Sequence, residues 1–146
     1  MIKTEQEYLE AKKRLEKEFQ AIEDHKLKMK KAGFKKDQIH LAIDPLASFA
    51  HQLKEEVEEY EKLKRGDFNE LENLDGLGHM LVALRIAKGI KQKELAERLG
   101  VNESQVSRDE RNEYHGASIE KVQKILKALE VILKSEVEEV ILKEAI

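Results

Sequence analysis

Apolar residues recur at three- and four-residue steps along most of the chain, which is the spacing of one face of an α-helix. The segment from Glu5 to about Lys31 predicts one long, highly charged helix that ends at Gly33. Asp44 followed by Pro45 predicts the start of a second helix, since aspartate caps helix starts and proline fits the first turn. No segment shows the strict alternation of a half-buried strand. We therefore predict an all-α fold.

The two N-terminal helices have apolar stripes too narrow for either helix to be stable alone. Pairing as an antiparallel hairpin, or with another chain, would bury both stripes. We predict that residues 1–75 form this hairpin and act as a dimerisation or partner-binding region.

A denser apolar pattern begins at Leu77 and predicts four short helices in succession. Glycines end the first two, and Asn102 and Ser118 cap the third and fourth. We assign residues 76–134 to this second domain. The last stretch, "SEVEEVILKEAI", keeps the helical spacing and predicts a C-terminal helical tail over residues 135–146.

The stretch "QKELAERLGVNESQVSRDER", Gln92–Arg111, has the layout of a helix-turn-helix. Leu95, Ala96 and Val106 take the inward positions, and Gly100 allows the turn between the two helices. Together with "LVALRIAKGIK" before it and "SIEKVQKILKAL" after it, this stretch resembles the Xre/Cro (phage-repressor) helix-turn-helix family. The resemblance implies a five-helix DNA-binding domain, usually dimeric, that inserts its third helix into the major groove.

The resemblance also implies which residues contact DNA, and it places the recognition helix at Asn102–Arg108. Gln105 can pair with adenine, and Arg108 with guanine or a phosphate. Lys91, Lys93 and Arg85 flank the groove and would neutralise phosphates. Carried over by position, Gln92 would bond a phosphate, Glu103, Ser104 and Gln105 would lie nearest the base edges, and Ser107 and Arg108 would reach bases or phosphate.

One position departs from the family layout. Asp109 occupies an inward slot that normally holds an apolar residue, and a carboxylate buried there without a partner would cost several kcal/mol. Arg85, Arg111 and His115 are candidate partners, or Asp109 ends the recognition helix early.

Composition limits the other classes of function. The net charge is −3, which gives no general attraction for nucleic acid, but residues 77–129 hold 10 basic against 7 acidic side chains, a local surplus of three positive charges. There is no cysteine, and hence no disulfide or thiolate chemistry. No apolar run approaches the ~18 residues of a membrane span, and the start lacks the apolar core of a signal peptide. We expect a cytoplasmic protein.

An enzymatic alternative rests on four carboxylates. Glu56, Glu59, Glu72 and Asp75 fit the ExxE-x12-ExxD spacing and resemble the MazG-type nucleotide pyrophosphohydrolases, in which such carboxylates hold Mg²⁺. Accidental matches are common in a chain with 39% charged residues. The favoured interpretation is therefore a DNA-binding repressor with no catalytic residue, metal or cofactor, whose partners are double-stranded DNA and a second copy of the chain.

A variant of that interpretation adds a protein partner. The start "IKTEQEYLEAKKRLE", followed by a helical N-terminal part and a C-terminal Xre-like domain, looks similar to HigA-type antitoxins. That resemblance implies a protein that binds a toxin and represses its own operon.

Overall fold

A computed structural model describes residues 1–140, and within this range the chain is all-helical, as predicted. Two long helices are followed by four short ones. Among the helices of these residues, none is long and apolar enough to cross a membrane. The bounds are α1 Glu5–Lys31, α2 Lys36–Lys64, α3 Leu77–Ala87, α4 Gln92–Leu99, α5 Glu103–Arg111 and α6 Ile119–Ala128.

The helices α1 and α2 form the predicted antiparallel hairpin. Tyr8 stacks on Tyr60 at the open end, with ring centroids 4.8 Å apart. Towards the connecting turn, Ile22 of α1 shares a small buried cluster with Ile43 and Ala50 of α2. The hairpin therefore buries part of its narrow apolar stripes between its own two helices, while Leu46 and Phe49 of α2 stay exposed.

The start of α2 differs from the prediction. The helix begins at Lys36, well before Asp44, and the side-chain oxygen of Gln38 accepts a hydrogen bond of 2.9 Å from the backbone N–H of Lys35. The Asp44-Pro45 pair is consequently not a helix start. The local capping signal was outweighed by packing of the preceding residues.

That packing explains how α2 tolerates Pro45 in its interior. Proline cannot donate the backbone hydrogen bond to the carbonyl of Leu41, four residues earlier. Ile39 and Ile43, on the N-terminal side of the proline, pack with Ile22 of α1. Ala47 and Ala50, after the proline, belong to the same cluster, so packing against α1 stabilises the helix on both sides of Pro45.

The main hydrophobic core crosses the predicted domain boundary. It joins α3, α4, α5 and α6 to the C-terminal half of α2 and to the N-terminal residue Ile2. The buried residues among the first 75 are Ile2, Val57, Tyr60 and Leu63, and the partly buried Tyr8, Ala11, Leu15 and Phe68 pack against the same core. The largest fully buried apolar side chains of the remainder are Leu81, Val82, Leu95, Val106, Ile125 and Leu129.

The first residues of the chain are attached to this core by polar contacts as well. The backbone carbonyl of Lys3 accepts a hydrogen bond of 2.7 Å from Arg85 in α3. The Lys3 ammonium donates to the backbone carbonyl of Glu110 in α5, also at 2.7 Å. The N-terminal segment thus connects the hairpin to two helices of the second domain.

The C-terminal end departs from the prediction. The helix α6 ends at Ala128, and residues 131–140 form no helix, so residues 77–140 contain four helices where five were expected. Ile132, Val137 and Val140 are exposed. A short helix is unstable in water unless it buries an apolar face, and here no such burial occurs. The rest of the predicted helical tail, residues 141–146, lies outside the described residues.

Candidate nucleic-acid interface

The helices α4 and α5 meet at a three-residue turn. Gly100 adopts the left-handed conformation with φ of 70°, and the N–H of Val101 bonds back to the carbonyl of Ala96 at 3.0 Å. Leu95, Ala96 and Val106 are buried where the two helices cross. The predicted inward residues of the helix-turn-helix are therefore confirmed, and so is the need for glycine at the turn.

The opposite face of α5 faces solvent. Glu103, Ser104 and Arg108 are exposed, and Gln105 and Ser107 are half-buried. Asn102 lies at the N-cap of α5, but its side chain makes no capping hydrogen bond. The five residues predicted to contact bases thus share one accessible surface.

The residues predicted to contact phosphates lie at the start of α4. Lys91 and Lys93 are exposed, while Gln92 is half-buried. The side-chain amide of Gln92 donates a hydrogen bond of 2.7 Å to the carboxylate of Glu110. A side-chain amide has two N–H groups, so Gln92 retains one donor besides the one that Glu110 accepts.

Arg85 is not available to phosphate, and the prediction for this residue is wrong. Its side chain is 4% exposed, and its guanidinium forms two hydrogen bonds with Glu110, one from Nε and one from Nη2 at 2.8 Å. Two further N–H groups bond the backbone carbonyls of Ile90, at 2.9 Å, and Lys3. The guanidinium is therefore buried and bonded within the protein.

Glu110, and not Asp109, is the buried acid of α5. Its side chain is fully buried, and its two oxygens accept hydrogen bonds from Arg85 and Gln92. A carboxylate in this position is stable only because the arginine supplies a matching charge and two donors. The sequence contained a signal for this role, since Glu110 lies four residues after the inward Val106 and thus on the same helical face.

The hydrogen-bond partners of Asp109 are not the ones proposed from the sequence. Its carboxylate accepts one hydrogen bond from Lys121 of α6, at 2.8 Å, and one from the side-chain amide of Gln105, at 3.0 Å. Neither Arg85, Arg111 nor His115 bonds it. The helix continues through Arg111, so Asp109 does not end it early.

The two carboxylates also affect Tyr114, in the loop after α5. The ring is 7% exposed, and burial is the main cause of a raised phenol pKa. The nearby charges of Glu110 and Asp109 raise the pKa further, because they oppose a third negative charge. The phenol is therefore neutral at any physiological pH.

The four carboxylates of the enzymatic alternative do not form the paired-helix arrangement that it needs. Glu56 and Glu59 lie on α2, whereas Glu72 and Asp75 lie in the non-helical connector before α3. Within residues 1–140, no group of three or more histidine, aspartate or glutamate side chains is placed to hold a metal ion. The spacing in the sequence does not correspond to a site in the structure.

Comparison with known proteins agrees with the geometry of α3–α6. Residues 81–131, which are 51 of the 146 residues, match the helix-turn-helix family. This part of the chain is therefore similar to helix-turn-helix domains, in agreement with the arrangement of α4 and α5. No curated protein and no solved structure matches the chain.

Proposed function

We propose that the protein is a sequence-specific transcriptional repressor that places α5 in the major groove of DNA. The division of α5 into two faces supports this proposal most directly. Val106 and Glu110 hold the helix to the core, while the residues from Asn102 to Arg108 that point outward stay accessible. A helix held in this way can enter the groove without changing the fold.

The accessible side chains offer the donors and acceptors that base edges need. Gln105 can pair with adenine, Arg108 with guanine, and Glu103 can accept from the amino group of cytosine. Ser104 and Ser107 add hydroxyl groups that bond either bases or phosphates. We propose that these five residues determine the sequence preference.

Affinity for any DNA comes from a second set of residues. Lys91 and Lys93 are exposed at the start of α4, beside the surface formed by α5. Their ammonium groups would displace cations from the phosphate backbone, which makes binding stronger at low salt whatever the sequence. Gln92 would bond a phosphate through its remaining N–H.

We also propose that the repressor acts as a homodimer on a near-palindromic site. Two copies of α5 would then lie about 34 Å apart, one turn of DNA. The far end of the hairpin is a candidate surface for the second copy, since Leu27, Phe34 and Leu41 are all about half exposed or more there. Apolar side chains grouped on a protein surface often mark an interface.

A second candidate function, antitoxin, is favoured by the charge of that same surface. The segment that carries the three apolar side chains, residues 25–41, holds six lysines against a single acid, Asp37. A protein partner with an acidic rim and an apolar centre would match this surface, and we propose a toxin of that chemistry as the partner. The lysines are Lys26, Lys28, Lys30, Lys31, Lys35 and Lys36.

Selection of bound sequences from random double-stranded DNA tests the main proposal. At low salt, the full-length protein should enrich a motif with two related half-sites. Recovery of DNA without any enriched motif would show that binding is not sequence-specific. Sedimentation equilibrium of the wild type and of Leu41→Lys then tests the dimer, because the variant should shift the equilibrium towards monomer if the hairpin end is the interface.

A further inference from the structure

A chain of polar contacts connects α6 to the outward face of α5. Lys121 donates to one oxygen of Asp109 at 2.8 Å, and Gln105 donates to the other at 3.0 Å. Arg108 in turn donates to the side-chain oxygen of Gln105 at 3.1 Å. We propose that Asp109 and Lys121 are positioning residues that set the base preference of Gln105 and Arg108. This inference rests on the proposed DNA-binding function.

The contacts on either side of Gln105 distinguish the two ends of its amide. Its NH₂ group faces the carboxylate of Asp109, and its oxygen faces the guanidinium of Arg108. A flipped amide would place oxygen against the carboxylate and NH₂ against the guanidinium, which are two unfavourable pairs. Terminal amide torsions are otherwise broad and roughly two-fold. Asp109 and Arg108 therefore select one of two orientations.

The selected orientation leaves Gln105 able to contact a base. The amide has two N–H groups and its oxygen has two lone pairs, and the contacts with Asp109 and Arg108 use one of each. One donor and one acceptor remain, which is the combination that pairs with adenine. An amide already held in place loses less freedom on binding. A base that needs the flipped amide pays the cost of breaking both contacts, so discrimination between bases is sharper.

Lys121 makes it possible for an acid to lie so close to the DNA surface. A bare carboxylate at Asp109 would repel phosphates and would be free to rotate away from Gln105. The ammonium of Lys121 compensates the charge and holds one oxygen, leaving the other for Gln105. Because Ile125 and Leu129 are buried in the core, α6 keeps Lys121 in place.

This polar chain is separate from the contacts that hold the fold together. The side chains of Lys121 and Asp109 are 41% and 20% exposed, whereas Arg85 and Glu110 are buried. Ion pairs as exposed as Lys121–Asp109 contribute little to folding stability. Variants of Asp109 and Lys121 should fold, which allows their effect on base preference to be measured.

The experiment compares bound-sequence selection by the wild type, Asp109→Ala, Lys121→Ala and a matched control, Lys124→Ala. Lys124 lies on the same helix and pairs with the exposed Glu120 at 3.3 Å, away from α5. The first two variants should lose about fivefold or more of the preference at the base pairs that Gln105 and Arg108 contact. The control should retain the wild-type motif and melting temperature.

A second comparison separates positioning from a general structural effect. In a Gln105→Ala background, adding Asp109→Ala should leave the preference at the Gln105 base pair unchanged, because the residue it positions is gone. If the wild type gives a motif and Asp109→Ala keeps it with uniformly weaker binding, the positioning role is wrong although the repressor proposal stands. If the wild type gives no motif, the repressor proposal fails and this inference fails with it.

Discussion

The guanidinium of Arg85 and the carboxylate of Glu110 form a buried ion pair that joins α3 to α5. Replacing only one partner should be costly, because the other charge would be left buried without compensation. We expect Arg85→Met or Glu110→Leu to lower the free energy of unfolding by about 3–5 kcal/mol, as measured by urea denaturation. 

The double variant Arg85→Met/Glu110→Leu is the informative comparison. Removing both charges together leaves no unpaired ion, so the double variant should be more stable than the sum of the single losses predicts. Strictly additive losses would mean that the two charges do not stabilise each other in the folded state.

The attachment of the N-terminal segment to α5 depends on Lys3. Its ammonium bonds the backbone carbonyl of Glu110, near the negative C-terminal end of the helix. Lys3→Met should therefore lower the free energy of unfolding by about 1–2 kcal/mol. Lys13→Met, an exposed lysine of α1, serves as the control and should change it by less than about 0.5 kcal/mol. Equal effects in the two variants would contradict a specific role for Lys3.

Gly78, in the first turn of α3, packs directly on the backbone of the loop after α5. A Cβ atom at this position would overlap the carbonyl of Glu113, which belongs to the backbone and has little room to move. We expect Gly78→Ala to lower the free energy of unfolding by about 2 kcal/mol or more. Gly33→Ala is a useful comparison, because the added Cβ would meet no atom within 4 Å. Its only cost is the strain of an alanine at the left-handed φ of 83°, about 1 kcal/mol. A smaller loss at Gly78 than at Gly33 would be inconsistent with this close contact.

Stability at high pH should depend on Tyr60. Burial and the hydrogen bond to Glu5 raise the pKa of its phenol to about 12, from about 10 in the unfolded chain. The folded state thus keeps the proton more tightly, so this contribution is fully present below pH 10 and is lost between pH 10 and 12. Unfolding curves of the wild type and Tyr60→Phe should show a wild-type advantage that falls over this range. A constant difference between the two proteins would exclude the shift.

Removing a base contact and removing a phosphate contact should weaken DNA binding in different ways. Gln105→Ala should change which base is preferred at one position, with ~1–3 kcal/mol less discrimination there. Lys91→Ala should weaken binding to all sequences. It should also reduce the slope of log affinity against log salt concentration by about 1, which corresponds to one phosphate contact. Fluorescence anisotropy over a salt series, with matched and mismatched sites, measures both. Uniform losses from both variants would contradict the assignment of Gln105 to a base.

The layout of α3–α6 was predictable because its signals are local. Gly100 marks the turn, and the inward positions Leu95 and Val106 follow from helical spacing alone. The start of α2 was not predictable in the same way. The signal at Asp44 and Pro45 is local, but it is overridden by packing against another helix, which the local sequence does not show.

The polar partners of the candidate site were the least predictable part. Arg85 bonds Lys3, 82 positions away in the sequence, and Asp109 bonds a lysine of a different helix. The neighbouring acids Asp109 and Glu110 differ by a rotation of about 100° around the helix axis, which places one at the surface and the other in the core. Helical spacing from Val106 identifies Glu110 as the inward acid, but the donor that compensates it can be identified only from the three-dimensional arrangement.

The shared core has a consequence for how this domain can be inherited. Tyr60 and Leu63 of α2, together with Ile2, fill space among the short helices. A recombination joint in the connector at residues 65–76 would separate the helix-turn-helix from those side chains and leave holes in its interior. An exchange of this DNA-binding unit between proteins would have to include the C-terminal half of α2 and the first residues of the chain, so the functional module is larger than the 51 residues that match the family.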